Sequence, residues 1–226
     1  MNQWFTVSLQ DSTGELVPFT QPTSKIVCVG RNYIAHAKEL NNPIPDSPIL
    51  FIKPNSCLVN LPDGVKLPIT SSSCHHELEV AILVGQQMSN TLPEQVADNI
   101  AGIGLGLDLT LREIQSELKA KGQPWEKAKS FDGACPVSPF IAYNKKQINL
   151  DKITFQLIKN GQVTQTGNTN DMLFKVTDLV ATISQHFTLY PGDIVLTGTP
   201  AGVGELHSGD QLVVSLNDLQ WSTAVI

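Results

Sequence analysis

The chain has 226 residues, 41% of them hydrophobic and 16% charged, which is enough apolar content to bury a sizeable core. Its 21 acidic residues outnumber the 15 basic ones, the net charge is −6, and no basic stripe interrupts that balance. A nucleic-acid or anionic-membrane partner is therefore disfavoured, and a small molecule is expected instead.

In chain order, "WFTVSL" and "LVPF" flank the turn "DSTGE" and predict a hairpin. The opening residues lack a basic stretch followed by an apolar core, and no apolar run is long enough to span a bilayer, so the expected location is the cytoplasm. "KIVCVG" predicts a strand feeding a short helix over "NYIAHAKEL", and the proline-rich "NNPIPDSP" a stiff loop before the strand "ILFIKP". "CLVNLPDGVKLP" predicts a turn-linked pair of strands. Thr91 with Glu94, and Thr110 with Glu113, have capping-box spacing and predict helices over "QVADNIAG" and "LREIQSELKAKG", the second closed by Gly122. A further helix is predicted over "VTDLVATISQHF", and strands over "GDIVLTG" and "GDQLVVSL". With no spacer, repeat or low-complexity segment, residues 1–226 predict a single domain of the α+β class, mainly β, with no regular βαβ alternation.

The common nucleotide signals are absent. Gly102, Gly104 and Gly106 alternate in "GIGLGLD", whereas the dinucleotide fingerprint would need glycine where Leu107 stands; a strand packed tightly against another backbone is expected, ending at Asp108. Cys28, Cys57, Cys74 and Cys135 fall singly and predict reduced, mostly buried thiols.

"CHHELEVAILVG" carries the first chemical signal. As a strand it puts His75, Glu77 and Glu79 on one face, with the two carboxylates about 7 Å apart. At that distance they repel by roughly 2 kcal/mol at an effective dielectric near 20. Either that half of the face opens to water or a cation sits between them. Asp108, where a strand gives way to a helix, either helps to cap that helix or completes a three-carboxylate site for a hard cation, given no obvious arginine partner. His75 leaves a mixed site open, zinc is disfavoured by the scattered cysteines, and His76 points the other way as a structural residue.

Two further groupings carry candidate chemistry. His36 and Glu39 share a helix face, so the carboxylate can raise the basicity of the imidazole. Arg112 and Gln115 share a face of the helix beginning beside Asp108, and Lys129, between "PWEKA" and Phe131, can direct an ammonium toward an anion. Each is also compatible with an ordinary solvated helix face.

Taken together, "GRNYIAHAKEL", "LFIKP", "HHELEVAILVG", "GLDLTLREIQ", "KAKSFDGACPVSP" and "GDIVLTGTPAGVG" resemble, in order and spacing, the fumarylacetoacetate hydrolase family in its short-chain acylpyruvase and oxaloacetate decarboxylase branch. The resemblance covers about residues 24–216. It implies a homodimer with a mixed β-sandwich roll and a Mg²⁺ or Mn²⁺ site, with no organic cofactor. By motif match it assigns Glu77, Glu79 and Asp108 as ligands, His36 and Glu39 as a catalytic dyad, and Arg112, Gln115, Lys129 and Thr199 as substrate contacts. "KIVCVG" holds no counterpart of the further acidic ligand that fumarylacetoacetase carries there, which argues against fumarylacetoacetate itself as the substrate. The implied activity is metal-dependent cleavage of small 2-oxoacids, by acylpyruvate hydrolysis or oxaloacetate decarboxylation. Isomerisation or keto-enol tautomerisation of such acids is the alternative, and a metal- or ligand-binding module the non-enzymatic one.

Overall fold

The computed structural model describes residues 5–11, 13–69 and 73–226. Three sheets form among them. The largest runs in the order Leu16–Pro18, Ser8–Gln10, Phe140–Ala142, Ile100–Leu107, Leu78–Val84, Ile194–Leu196, Lys25–Gly30 and Ile49–Pro54, with Cys135–Val137 and Leu58–Asn60 branching beside Ile100–Leu107. It is mixed: Ile194–Leu196 pairs parallel with Lys25–Gly30 and antiparallel with Leu78–Val84. A four-stranded antiparallel sheet, Gln162–Asn168, Thr154–Lys159, Gln211–Leu216 and Leu219–Ala224, shares one apolar core with it, and Gly204–Glu205, Cys74–His76 and Thr110–Leu111 make a small third sheet. This is the expected α+β, sheet-dominated architecture.

The central hairpin explains itself locally. Every residue of Leu78–Val84 is buried, because the strand is covered on both faces. Its partner Ile100–Leu107 is glycine-rich for steric reasons: a Cβ on Gly102 would stand 2.9 Å from the Ile141 carbonyl oxygen, and one on Gly106 2.7 Å from Leu196. Asp193, wholly buried, accepts hydrogen bonds from the Ser24 and Lys25 backbone N–H groups and the Ser24 hydroxyl and pairs with the Lys25 ammonium. It thereby ties the strand leading to Thr199 to the strand leading to His36.

The N-terminal hairpin forms as predicted, with Leu9 opposite Val17, although Trp4 and Ser12 lie outside the described residues. Helices Ile34–Glu39, Arg112–Ala120 and Val176–His186 also match expectation. Neither capping box does. Pro93, suited to the first helical position, moves the start of its helix to Pro93–Val96, where the Gln95 side chain accepts from the Leu92 N–H; the chain is already a strand by Ile100. Thr110 is drawn into the third sheet, and its hydroxyl donates to the Asp108 carbonyl instead of capping Arg112–Ala120. The two halves of "CLVNLPDGVKLP" do not pair with each other: a 3₁₀ turn at Leu61–Asp63 and Gly64 at φ 100° redirect the chain, so Leu58–Asn60 pairs with Cys135–Val137 and Val65 bridges to Val225.

Candidate active site

The register of the central hairpin builds the acidic cluster. Leu78 stands opposite Leu107, and the Asp108 N–H donates to the Glu77 carbonyl at 2.8 Å, so Glu77 and Asp108 are cross-strand neighbours. Glu79, two residues on, faces Gly106, which has no side chain to crowd it. Ligand atoms of the three acids lie within 4.8 Å of one another, and all three residues are at most 4% exposed. Opening to water is thereby excluded. His75, held in the third sheet opposite Glu205 and Thr110, is not part of the cluster, so the mixed site is not formed.

Cations do meet the acids, and they belong to the chain. Lys129 Nζ lies 2.7 Å from Glu77 Oε2 and 2.6 Å from Asp108 Oδ2, while Arg112 Nη2 donates to Glu77 Oε1. The expectation of no arginine partner is thus corrected: the helix that starts after Asp108 turns Arg112 back over the strand. Burial pushes the Glu77 carboxyl upward, but Lys129 and Arg112 outweigh it and hold the group well below the usual carboxylate range. Glu79 has no such partner. Burial, then the charges of Asp108 and Glu77, push its carboxyl well up, and the nearby Lys129 charge and the Gly198 N–H at 2.6 Å only partly offset them. A buried, all-carboxylate donor set with excess negative charge around Glu79 fits a hard divalent cation.

Lys53 was missed in the sequence. Wholly buried, its Nζ stands 2.8 Å from Asp108 Oδ1 and donates to the carbonyls of Ala134 at 3.1 Å, Leu109 at 3.4 Å and Lys129. The available signal was a lone lysine ending the apolar run "ILFIK" of a strand. Arg31 was missed too. It lines the same cavity at φ 61°, a left-handed conformation unusual for a side chain of its size, between the strand Lys25–Gly30 and the helix carrying His36.

His36 is buried on the cavity wall, its Nδ1 3.4 Å from Glu39 Oε2. Burial lowers its pKa below 6.5, with Glu77 and Glu39 pulling partly against it, so the imidazole is neutral at neutral pH. With Nδ1 directed at a carboxylate, the free lone pair is on Nε2. Glu39 Oε1 accepts from the Gly202 N–H at 2.9 Å, and Gly202 must be glycine there: its φ is 96°, and a Cβ would fall 1.9 Å from the Thr164 carbonyl oxygen. Gln115 Oε1 accepts from Arg112 Nη1 at 2.8 Å, leaving its NH₂ as the end able to donate. Thr199, 3% exposed, lines the cavity and donates its hydroxyl to the Leu78 carbonyl at 2.9 Å. Phe51, in cation–π contact with Lys129 at 5.2 Å, and Trp125 complete the wall. Every site residue expected from the sequence except Glu39 lines this one cavity, and Glu39 reaches it through His36.

Residues 25–224 match the family described as fumarylacetoacetate (FAA) hydrolase C-terminal. The chain is 46% identical over 205 residues to oxaloacetate tautomerase YcgM of Escherichia coli (strain K12), covering 91% of this chain and 94% of that one. It is 41% identical over 202 residues to a mitochondrial oxaloacetate decarboxylase of Dictyostelium discoideum, covering 89% and 92%. Among solved structures it resembles the fumarylpyruvate hydrolase of Pseudomonas aeruginosa, crystallised with Mn²⁺ and pyruvate, with a TM-score of 0.88, 30% identity and coverage of 98% and 96%. With residues 25–224 of the 226 covered by that match, the chain belongs to the fumarylacetoacetate hydrolase family.

Proposed function

We propose that this chain is a Mg²⁺- or Mn²⁺-dependent enzyme of small 2-oxoacids that hydrolyses acylpyruvates, decarboxylates oxaloacetate, or does both. The observation that carries this reading is the meeting of three buried carboxylates and a neutral, carboxylate-supported imidazole in one cavity. Glu77, Glu79 and Asp108 would hold the cation, which when bound supplies Lewis-acid polarisation of a chelating carboxylate and 2-keto oxygen. Glu77 and Asp108 are already ion-paired with Lys53, Arg112 and Lys129. An added divalent charge therefore favours an anionic ligand.

The chain's own groups do the rest. Gln115 and Arg112 orient the carboxylate end of the substrate, and Lys129 offsets negative charge as it develops nearby. In hydrolysis His36 Nε2 takes the proton of the attacking water while Glu39 stabilises the imidazolium at Nδ1. In decarboxylation no water attacks, and His36 serves only to return a proton to carbon.

Keto-enol tautomerisation is a second reading, favoured by the 46% identity to an oxaloacetate tautomerase. It uses the same base to move a proton between carbon and oxygen with no bond to carbon broken. Incubation with Mn²⁺ and either an acylpyruvate or oxaloacetate, followed by pyruvate assay and enol absorbance, separates the readings. Pyruvate above the free-metal background is the expected result. Accelerated enol decay without pyruvate selects tautomerisation, and neither signal overturns both. The four free, buried cysteines suit a reducing compartment such as the cytoplasm.

A further inference from the structure

Gln165 lies on Gln162–Asn168, a strand of the four-stranded sheet, and does not line the cavity, yet it is only 1% exposed and touches two parts of the site. Its Oε1 accepts from the Leu78 backbone N–H at 2.9 Å and lies 3.0 Å from His76 Nδ1. Its Nε2 donates to Thr199 Oγ1 at 2.8 Å and to the Pro200 carbonyl at 3.0 Å. The orientation of this amide is forced, because a backbone N–H only donates and a carbonyl only accepts. The same logic places the neutral His76 proton on Nδ1.

The forced orientation determines what Thr199 can do. Thr199 Oγ1 is the acceptor for Gln165, so the hydroxyl proton cannot return to that amide. It has the Leu78 carbonyl at 2.9 Å, or an oxygen in the cavity that Thr199 lines. Leu78 is itself the residue between Glu77 and Glu79, so the hydroxyl is held against the backbone that carries two of the three acids.

We propose that Gln165 is a positioning residue for substrate binding: its amide presents the Thr199 hydroxyl as a donor to a substrate oxygen beside the acidic cluster. This rests on the reading that the cavity takes a 2-oxoacid. A Gln165 that merely stitched two sheets together would affect stability and leave ligand affinity alone.

The test is a double-mutant cycle on oxalate binding to the Mn²⁺-loaded protein, measured by calorimetry for wild type, Gln165→Met, Thr199→Val and the double variant. Each single variant is expected to weaken oxalate about three- to tenfold, the worth of one net hydrogen bond, and the double variant no further than either alone. Unchanged oxalate affinity in folded Gln165→Met, or losses that multiply in the double variant, would overturn the proposal. Should Gln165→Met fail to fold, Gln165→Glu keeps the acceptor for Leu78 and His76 but offers Thr199 a carboxylate that captures its proton. The same loss is expected there, and wild-type affinity overturns the proposal. Wild-type protein that binds Mn²⁺ but no oxalate rejects the 2-oxoacid reading itself, and this inference with it, whereas intact wild-type binding with an additive cycle rejects the inference alone.

Discussion

At the scale of single residues, the two glutamates of one strand face opposite electrostatic situations. Glu77 is ion-paired with both Arg112 and Lys129, whereas Glu79 makes no ion pair, and the Gly198 N–H and the more distant Lys129 charge do not outweigh burial and two like charges. From the sequence, neutralising any of the acids should relieve repulsion. That holds only for Glu79. Glu79→Gln should leave the Tm of the metal-free protein unchanged or higher, since the amide oxygen can still accept from Gly198. Glu77→Gln should cost about 3 kcal/mol by depriving the buried Lys129 and the partly buried Arg112 of a partner, or about 6 to 12 °C in Tm for a chain of this size. Both variants should lose Mn²⁺ affinity by calorimetry. A lower Tm for Glu79→Gln than for Glu77→Gln would contradict this charge assignment.

At the scale of the element, the helix Ile34–Glu39 has six residues, too few to persist on its own propensity. Glu39 binds at both ends of its carboxylate, to His36 and to the Gly202 N–H, and so fastens the helix to the loop that also holds Thr199. Because burial depresses the His36 pKa, the unfolded chain takes up this proton first. The stability contributed by the neutral imidazole is therefore complete above pH 6.5 and declines as pH falls toward the folded value. Activity should follow the same direction, with kcat/KM on an acylpyruvate showing a one-proton acidic limb below pH 6.5. Glu39→Gln removes a group that raises the His36 pKa, so its limb should move to still lower pH while kcat falls. A limb that moves up, or does not move, would remove Glu39 from contact with the base.

At the scale of the whole molecule, Lys53 joins segments far apart in the chain: the strand Ile49–Pro54, the turn after Asp108, the end of the helix Glu126–Lys129 and the segment at Ala134. Its ammonium is dehydrated, and burial alone would lower its pKa, yet the Asp108 carboxylate more than compensates and keeps it charged. Lys53→Met preserves the volume but leaves a buried carboxylate and several carbonyls without their donor. Urea unfolding should show a loss of about 3 to 5 kcal/mol, with an unchanged m-value if the native fold is retained. A loss under about 1 kcal/mol, the range of an exposed pair, would mean that Lys53 is not the brace described.

The sequence by itself determined the elements whose signal is local and the residue types of the site. Apolar runs ended by Gly or Pro marked the strands, the stretches "NYIAHAKEL", "LREIQSELKAKG" and "VTDLVATISQHF" the three longer helices, and "ELE", "GLDL", "HAKE" and "KAK" named the acids, the dyad and the lysine through motif order. Where two local signals competed, tertiary structure chose: Thr110 could cap a helix or pair in a strand, and a waiting partner at His75 made it a strand. Charge balance was not legible at all, because it depends on contacts across long stretches of chain. Glu79 and Gly198 are 119 residues apart in sequence, Glu77 and Lys129 are 52 apart, and Lys53 and Gln165 contact site residues from behind the cavity wall, on strands whose local sequence does not announce that role. Only folding, by excluding water and fixing which cation meets which carboxylate, made one glutamate a paired anion and left its neighbour without an ion pair beside two like charges.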